Sequence, residues 1–251
     1  MQEKEFNAYN DLGNWDFSDI NYTTEQESSW NFYNEISKYA KPDSLILDLG
    51  TGGGEKALAF MPNCGMLIAT DFSPNMIKTA NENKKNYPNK NIKFVVMDNL
   101  NLKFPDNLFD IVSARHTIID AKQIYNYLNE NGTLIIEGVD KFDCWELKEL
   151  FGRGQAYKDS IPISQKDYED IKNAGFSKVD LQEIIQYEYY QTENDLLALL
   201  AKTPILDDFS GVNSSNNSFI EMDLFKEYVA KNTTPKGIKL KRVLYGIIAK
   251  K

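Results

Sequence analysis

Leu45-Ile46-Leu47-Asp48-Leu49-Gly50-Thr51-Gly52-Gly53-Gly54-Glu55 is the stretch that decides the fold. An apolar run of strand length ends in an acid and breaks into glycines, and Lys56 to Phe60 then resumes a helix-compatible pattern. Strand, tight turn and helix start are the layout that holds a nucleotide-like ligand against bare backbone. The glycines permit positive φ and let the chain approach a ligand with no Cβ in the way.

Spacing narrows the ligand. A dinucleotide fingerprint needs Gly or Ala at the sixth position from Gly50, where Glu55 stands, and the phosphate-loop pattern fails at the same place. What fits is acid-x-G-x-G-x-G, from Asp48 to Gly54. This resembles motif I of the class I S-adenosylmethionine-dependent methyltransferases, whose loop packs along the methionine and ribose portions of the cofactor. The resemblance implies Asp48, Gly50, Thr51 and Gly52 as cofactor-binding residues.

Downstream matches fall in order. Met66 to Asp71 is a second apolar run ending in an acid, about 20 residues after the loop, where a carboxylate can accept hydrogen bonds from both ribose hydroxyls. Phe72-Ser73-Pro74-Asn75-Met76 resembles the family's "D-x-S-x-x-M" segment, with Ser73 as a helix cap and Pro74 in the first helical position. By the same resemblance Phe72 and Met76 join the cofactor set. Asp98 follows the strand Asn91 to Met97; in the family an acid here contacts the adenine amino group, with Met97 or Asn99 beside the ring. Leu102 to Phe109 resembles "LPFPDNSFD", which leads into a strand, Phe109 to Ala114, that carries Ala114 to the cofactor edge. Tyr127 to Ile136 resembles "LKPGG-x-L", with Asn131 in place of the first glycine and expected to take its left-handed backbone.

Strands alternating with helices from Leu45 to about Val139 predict a parallel sheet wound on both faces. With the family likeness this becomes an α/β, Rossmann-like, doubly wound seven-stranded sheet, mostly parallel, with an antiparallel last strand. Residues 41–251 are expected to form the methyltransferase domain, with a helical insertion over 191–238 between the last two strands, Lys178 to Tyr190 and Val243 to Ala249. A helix over 164–174, capped by Ser164, precedes them, and Thr192 caps the first helix of the insertion. Residues 1–40 read as an N-terminal helical segment whose aromatics (Tyr9, Trp15, Phe17, Tyr22, Trp30, Phe32) either anchor it to the sheet or form a lid over the site.

At 251 residues the chain is long enough to bury one full α/β core. No apolar run reads as a signal peptide or approaches a membrane span. Cys64 and Cys144 make neither a disulfide framework nor a zinc set, so a cytoplasmic setting is expected. One histidine, His116, argues against a metal site, and none is expected. A net charge of −9 opposes nucleic acid and anionic membranes as partners.

Sulfonium methyl transfer needs an aligned acceptor lone pair and, for O or N acceptors, a proton acceptor. His116 is the general-base candidate because its unperturbed pKa lies near neutrality. Arg115 is the second catalytic candidate, able to grip a carboxylate or phosphate bidentately or to pair with a sheet-edge acid. Glu137, Asp140 and Asp143 offer an acidic pocket wall or ordinary loop acids, and Phe151-Gly152-Arg153-Gly154-Gln155 a turn that could close on substrate. Relatives in the branch that includes the quinone-biosynthesis enzymes look like sharing the "RH" pair, the "FGRGQ" turn and the "LLALLAKTPILDDF" segment. The expected activity is methylation of a small-molecule acceptor. An RNA-modifying methyltransferase is the alternative, since a ribosomal RNA guanine methyltransferase family has a similar "LL-x-x-TP" segment, although this chain lacks that family's four-cysteine zinc module. A non-catalytic S-adenosylmethionine-binding protein is the third reading.

Overall fold

A computed structural model describes residues 19–206 and 221–251. Its strands are β1 (Tyr22–Gln26), β2 (Leu45–Leu49), β3 (Met66–Asp71), β4 (Ile92–Val96), β5 (Phe109–Arg115), β6 (Leu128–Val139), β7 (Lys178–Tyr190), β8 (Thr233–Thr234) and β9 (Gly237–Lys250). Its helices are α1 (Phe32–Tyr39), α2 (Glu55–Phe60), α3 (Pro74–Lys84), α4 (Ala121–Tyr127), α5 (Trp145–Phe151), α6 (Ile163–Ala174), α7 (Glu193–Lys202) and α8 (Met222–Asn232). One sheet runs in the order β1-β7-β9-β6-β5-β2-β3-β4, with β8 beside β9. Strands β2 to β6 pair in parallel, and β9 lies antiparallel to both β6 and β7.

The parallel strands read as nearly continuous apolar runs because both faces are covered. Alternation divides each strand between two cores. Ile46, Ile111 and Ile135 pack with Phe32, Ile36 and Leu58 on one face. Leu47, Val112, Leu134 and Ile136 pack with Ile124 and Ile171 on the other. Each fully buried side chain of this kind contributes roughly 1.5–3 kcal/mol of transfer free energy. A third core lies under the insertion, where Leu196, Leu199 and Leu200 place an i, i+3, i+4 stripe of α7 against Phe225, Tyr228 and Leu240.

The sheet has two strands more than the seven expected. The N-terminal segment is not only helical: β1 pairs antiparallel with β7, and α1 follows it. Tyr9, Trp15 and Phe17 lie outside the described residues, as do residues 207–220 of the insertion. The last strand begins at Gly237 and not at Val243, since β7 pairs with it along its whole length, from Lys178↔Lys250 to Tyr190↔Ile238. Alternating lysines over 237–242 disguise that strand as a basic surface run. Ser164 does not cap α6. Instead Asp140, at the end of β6, accepts the Ile163 N–H at 3.1 Å and the Ser164 hydroxyl, capping the helix from 23 residues away. Asn131 is not among the non-glycine residues with positive φ (Asn107, His116, Cys144 and Ala156); its N–H bonds to the Asn129 side chain at 3.1 Å within β6. Thr192 does form the expected cap of α7, as a capping box with Asp195.

Candidate functional site

The carboxyl ends of β2, β3, β4, β5 and β6 lie along one edge of the sheet, and the predicted residues gather there. The turn after β2 carries Gly50, Gly52 and Gly54 at φ of 71°, 57° and 76°, all left-handed. The Thr51 N–H bonds to the Thr70 carbonyl at 2.9 Å and the Gly52 N–H to Asp71 Oδ2 at 2.9 Å, so the turn is tied to the end of β3. A Cβ on Gly50 would lie 2.7 Å from Thr117 Cβ, whereas one on Gly52 would meet nothing within 4 Å. Gly50 is needed for packing, and Gly52 faces open space.

Asp71 is buried, and its other oxygen accepts the Ser73 N–H at 2.9 Å. Burial raises its pKa against the opposing pull of these two N–H bonds. Each carboxylate oxygen retains an acceptor position after its backbone bond. Ser73 accepts the Met76 N–H and Pro74 opens α3, as expected. Met76 is itself buried and Phe72 half-buried. After β4, Asp98 is exposed and Asn99 buried, and the Asn99 amide donates to Thr117 Oγ1 at 2.9 Å. Thr117 thus joins the glycine turn to the loop after β4. Ala114 brings only its backbone to the edge, because its side chain is in the core.

Asp48 lies beneath the turn, opposite Ser113 in register, and Ser113 Oγ donates to its Oδ1 at 2.7 Å. Burial pushes its pKa up to about 6; the Ser113 and Thr51 hydroxyls and the Arg115 charge oppose that rise, and the Asp71 charge adds to it.

Past β5 the strand end supplies Arg115 and His116, and β6 supplies Glu137 opposite Arg115. Arg115 Nε donates to Glu137 Oε1 at 2.8 Å, and Trp30 Nε1 donates to Glu137 Oε2 at 2.9 Å. His116 Nε2 lies 3.6 Å from Glu137 Oε1, and the His116 N–H bonds to the Glu137 carbonyl at 2.8 Å with φ at 52°. About a third of the His116 side chain meets solvent, at 34%, and the rest is covered. That burial, with the charges of Arg115 and Arg242, holds the imidazole well below its usual pKa. It is neutral at pH 7 and retains a nitrogen able to accept a proton.

Three of the acids singled out from the sequence have other partners. Glu137 holds Arg115 and Trp30. Asp140 caps α6. Asp143 is buried against Arg242, with contacts of 2.8 and 3.1 Å, and accepts the Val243 N–H. Arg153 reaches the Leu206 carbonyl and Glu221. Among the described residues no cluster of His, Cys, Asp and Glu is arranged to hold a metal.

Two contributors were not singled out for the site. Tyr33 on α1 has a phenol whose pKa is raised by burial and then by the Asp48 charge, with Arg115 opposing and Glu137 adding, which places it among these groups. Gly246 faces Glu137 across β6 and β9, and a Cβ there would lie 2.4 Å from the Trp30 ring. A glycine in a strand interior marks such a close approach, so "LYGII" carried a usable signal for Trp30.

The open face at Gly52, the two-acceptor carboxylate of Asp71 and the amide of Asn99 fit the sugar and base of an adenosine-type cofactor. A description of a methyltransferase domain matches residues 47–136. The 2-phytyl-1,4-naphtoquinone methyltransferase of Nostoc punctiforme is 37% identical over 95 residues, covering 36% of this chain and 41% of that protein. The chain thus spans well under half the length of the curated relatives of this group that it matches, at 41% and 42%. Among solved structures, the YcgJ protein of Bacillus subtilis has a TM-score of 0.59 at 17% identity, with 87% of this chain and 96% of that one covered. Phosphoethanolamine N-methyltransferase 2 of Haemonchus contortus, in complex with phosphomonomethylethanolamine and S-adenosylhomocysteine, has a TM-score of 0.53 at 20% identity, with 88% and 52% covered. At such identities the likeness is one of fold. Motif order, strand order and the matched family together identify the chain as one that carries a class I S-adenosylmethionine-dependent methyltransferase domain.

Proposed function

We propose that this chain binds S-adenosylmethionine at the Gly50–Gly54 turn and catalyses transfer of its methyl group to a small molecule. The observation that carries this reading is the Gly52 turn, open above and bonded below to Asp71. In it Asp71 accepts from the ribose hydroxyls, Asp98 and Asn99 meet the adenine with Met97 and Phe72 beside it, and Gly50, Thr51 and Ala114 line the path with backbone. Met76 and Asp48 support the loop from beneath. The cofactor supplies a methyl group already activated as a sulfonium. The protein aligns the acceptor and removes its proton, and His116, neutral and next to the sheet edge, is the group that takes it.

A small acceptor is supported by the names of the similar proteins, which act on a naphthoquinone and on phosphoethanolamine. The net charge of −9 disfavours RNA. No described helix is long and apolar enough to cross a membrane, and both cysteines are free thiols, which supports a cytoplasmic setting. Residues 19–40 act as a fixed wall of the acceptor site, tied down by Trp30 on Glu137.

Calorimetric titration with S-adenosylmethionine, S-adenosylhomocysteine and NAD is the test. Micromolar affinity for the first two and none for NAD is expected; silence from both sulfur ligands would overturn the cofactor assignment. With an acceptor in hand, His116→Ala should spare S-adenosylhomocysteine affinity and lower turnover by roughly 10²–10⁴-fold. Unchanged turnover would remove it as the base.

A further inference from the structure

We infer that the acceptor carries a carboxylate or phosphate group, gripped by the free end of the Arg115 guanidinium beside His116. This rests on the methyl-transfer reading and gives its substrate a chemical class.

Arg115 stands at the end of β5 with 36% of its side chain exposed. Its Nε is committed to Glu137 Oε1 at 2.8 Å, while Nη1 and Nη2 have no partner among the described residues. Glu137 is itself held at its other oxygen by Trp30. The guanidinium is therefore locked in orientation at one end and presents two parallel donors at the other. That is the geometry for bidentate capture of a planar carboxylate or of two phosphate oxygens. A bond of this sort requires an aimed fork, and the long-range Trp30–Glu137–Arg115 chain provides the aim.

The electrostatics agree. Asp140 and Asp143, which would have made this rim acidic, are bound to the start of α6 and to Arg242. Arg115, 36% exposed at the end of β5, is the cation presented at this edge, and an anionic acceptor group is drawn to it. With its charge on Arg115, the acceptor places its nucleophilic atom near the neutral imidazole that takes the proton.

Two sources of the anion compete: the acceptor, and the carboxylate of the cofactor's own amino-acid portion. The experiment separates them. Phenyl phosphate, benzoate and neutral benzamide are titrated into free protein and into protein loaded with S-adenosylhomocysteine. Wild type should bind at least one anion tenfold or more tightly than benzamide in both states. Arg115→Gln should erase that preference while leaving S-adenosylhomocysteine affinity within twofold. Arg115→Lys, which keeps the charge but not the fork, should reduce the preference at least threefold with a wild-type melting temperature, which guards against misfolding.

Equal binding of all three probes by wild type, or a preference that survives both substitutions, overturns the inference. Loss of S-adenosylhomocysteine affinity in Arg115→Gln, with affinity for 5′-methylthioadenosine retained, assigns the fork to the cofactor's carboxylate and also overturns it. Failure of S-adenosylhomocysteine to bind wild type removes the cofactor reading instead, and the free-protein titrations still decide whether the fork takes anions.

Discussion

Asp48→Asn tests the electrostatics under the glycine turn. In the folded chain burial lifts the Asp48 pKa from the ordinary 3.8 to about 6. The folded state therefore holds this proton more tightly than the unfolded state does. Below pH 3.8 the carboxyl is neutral in both states and costs nothing. Between pH 3.8 and about 6 the unfolded chain gives up the proton that the fold retains, so the fold loses roughly 1.4 kcal/mol per pH unit and about 3 kcal/mol in all, a cost that is complete above pH 6. Asn fits the same space, still accepts from Ser113 Oγ and does not ionise. The folded pKa of about 6 already contains the contribution of the Ser113 bond. Asp48→Asn should then be more stable than wild type by about 3 kcal/mol at pH 7.5. Most of that advantage should vanish by pH 4.5, because the ionisation cost there falls to about 1 kcal/mol. Urea unfolding of both proteins at half-unit pH steps measures the difference directly. An Asp48→Asn effect independent of pH would refute the reasoning. The destabilising charge has a use if a cation is to bind nearby: wild type should prefer S-adenosylmethionine over S-adenosylhomocysteine, which lacks the sulfonium charge, more strongly at pH 7.5 than at pH 5, and Asp48→Asn should show no such pH dependence.

Gly50→Ala and Gly52→Ala should separate folding from binding. The first, at φ 71° and driven into Thr117, should lower stability by at least about 1–2 kcal/mol; the second, strained but unobstructed, should cost about 1 kcal/mol and abolish cofactor affinity in a titration. Asp71→Ala should weaken S-adenosylhomocysteine binding by roughly 1–3 kcal/mol, and near-normal affinity would undo the ribose assignment. Asp143→Ala leaves Arg242 buried with half of its partners and should destabilise by about 3–5 kcal/mol in denaturant unfolding. Leu196→Ala in α7 should cost about 2–5 kcal/mol, and a much smaller loss would show that the insertion does not share the fold's cooperativity.

What the sequence determined by itself is what a short window of chain can specify. A strand followed by left-handed glycines, Ser73 with Pro74, and the Thr192–Asp195 box are each complete within a few residues, so their physics is printed in order along the chain. The position of Asp71 was also legible, because a βαβ unit has nearly fixed length. Tertiary structure alone decided which charges face the site. Glu137, Asp140 and Asp143 look alike in sequence, yet one holds Arg115 and Trp30, one caps α6 and one neutralises Arg242. Those partners lie between 22 and 107 residues away, and no local pattern names them. The same holds for the sheet edge: β1 and the start of β9 exist as strands because β7 gives their backbones a partner, which their polar side chains do not announce. Local backbone preference fixes where the turns and caps fall, and long-range pairing fixes what each acid is for.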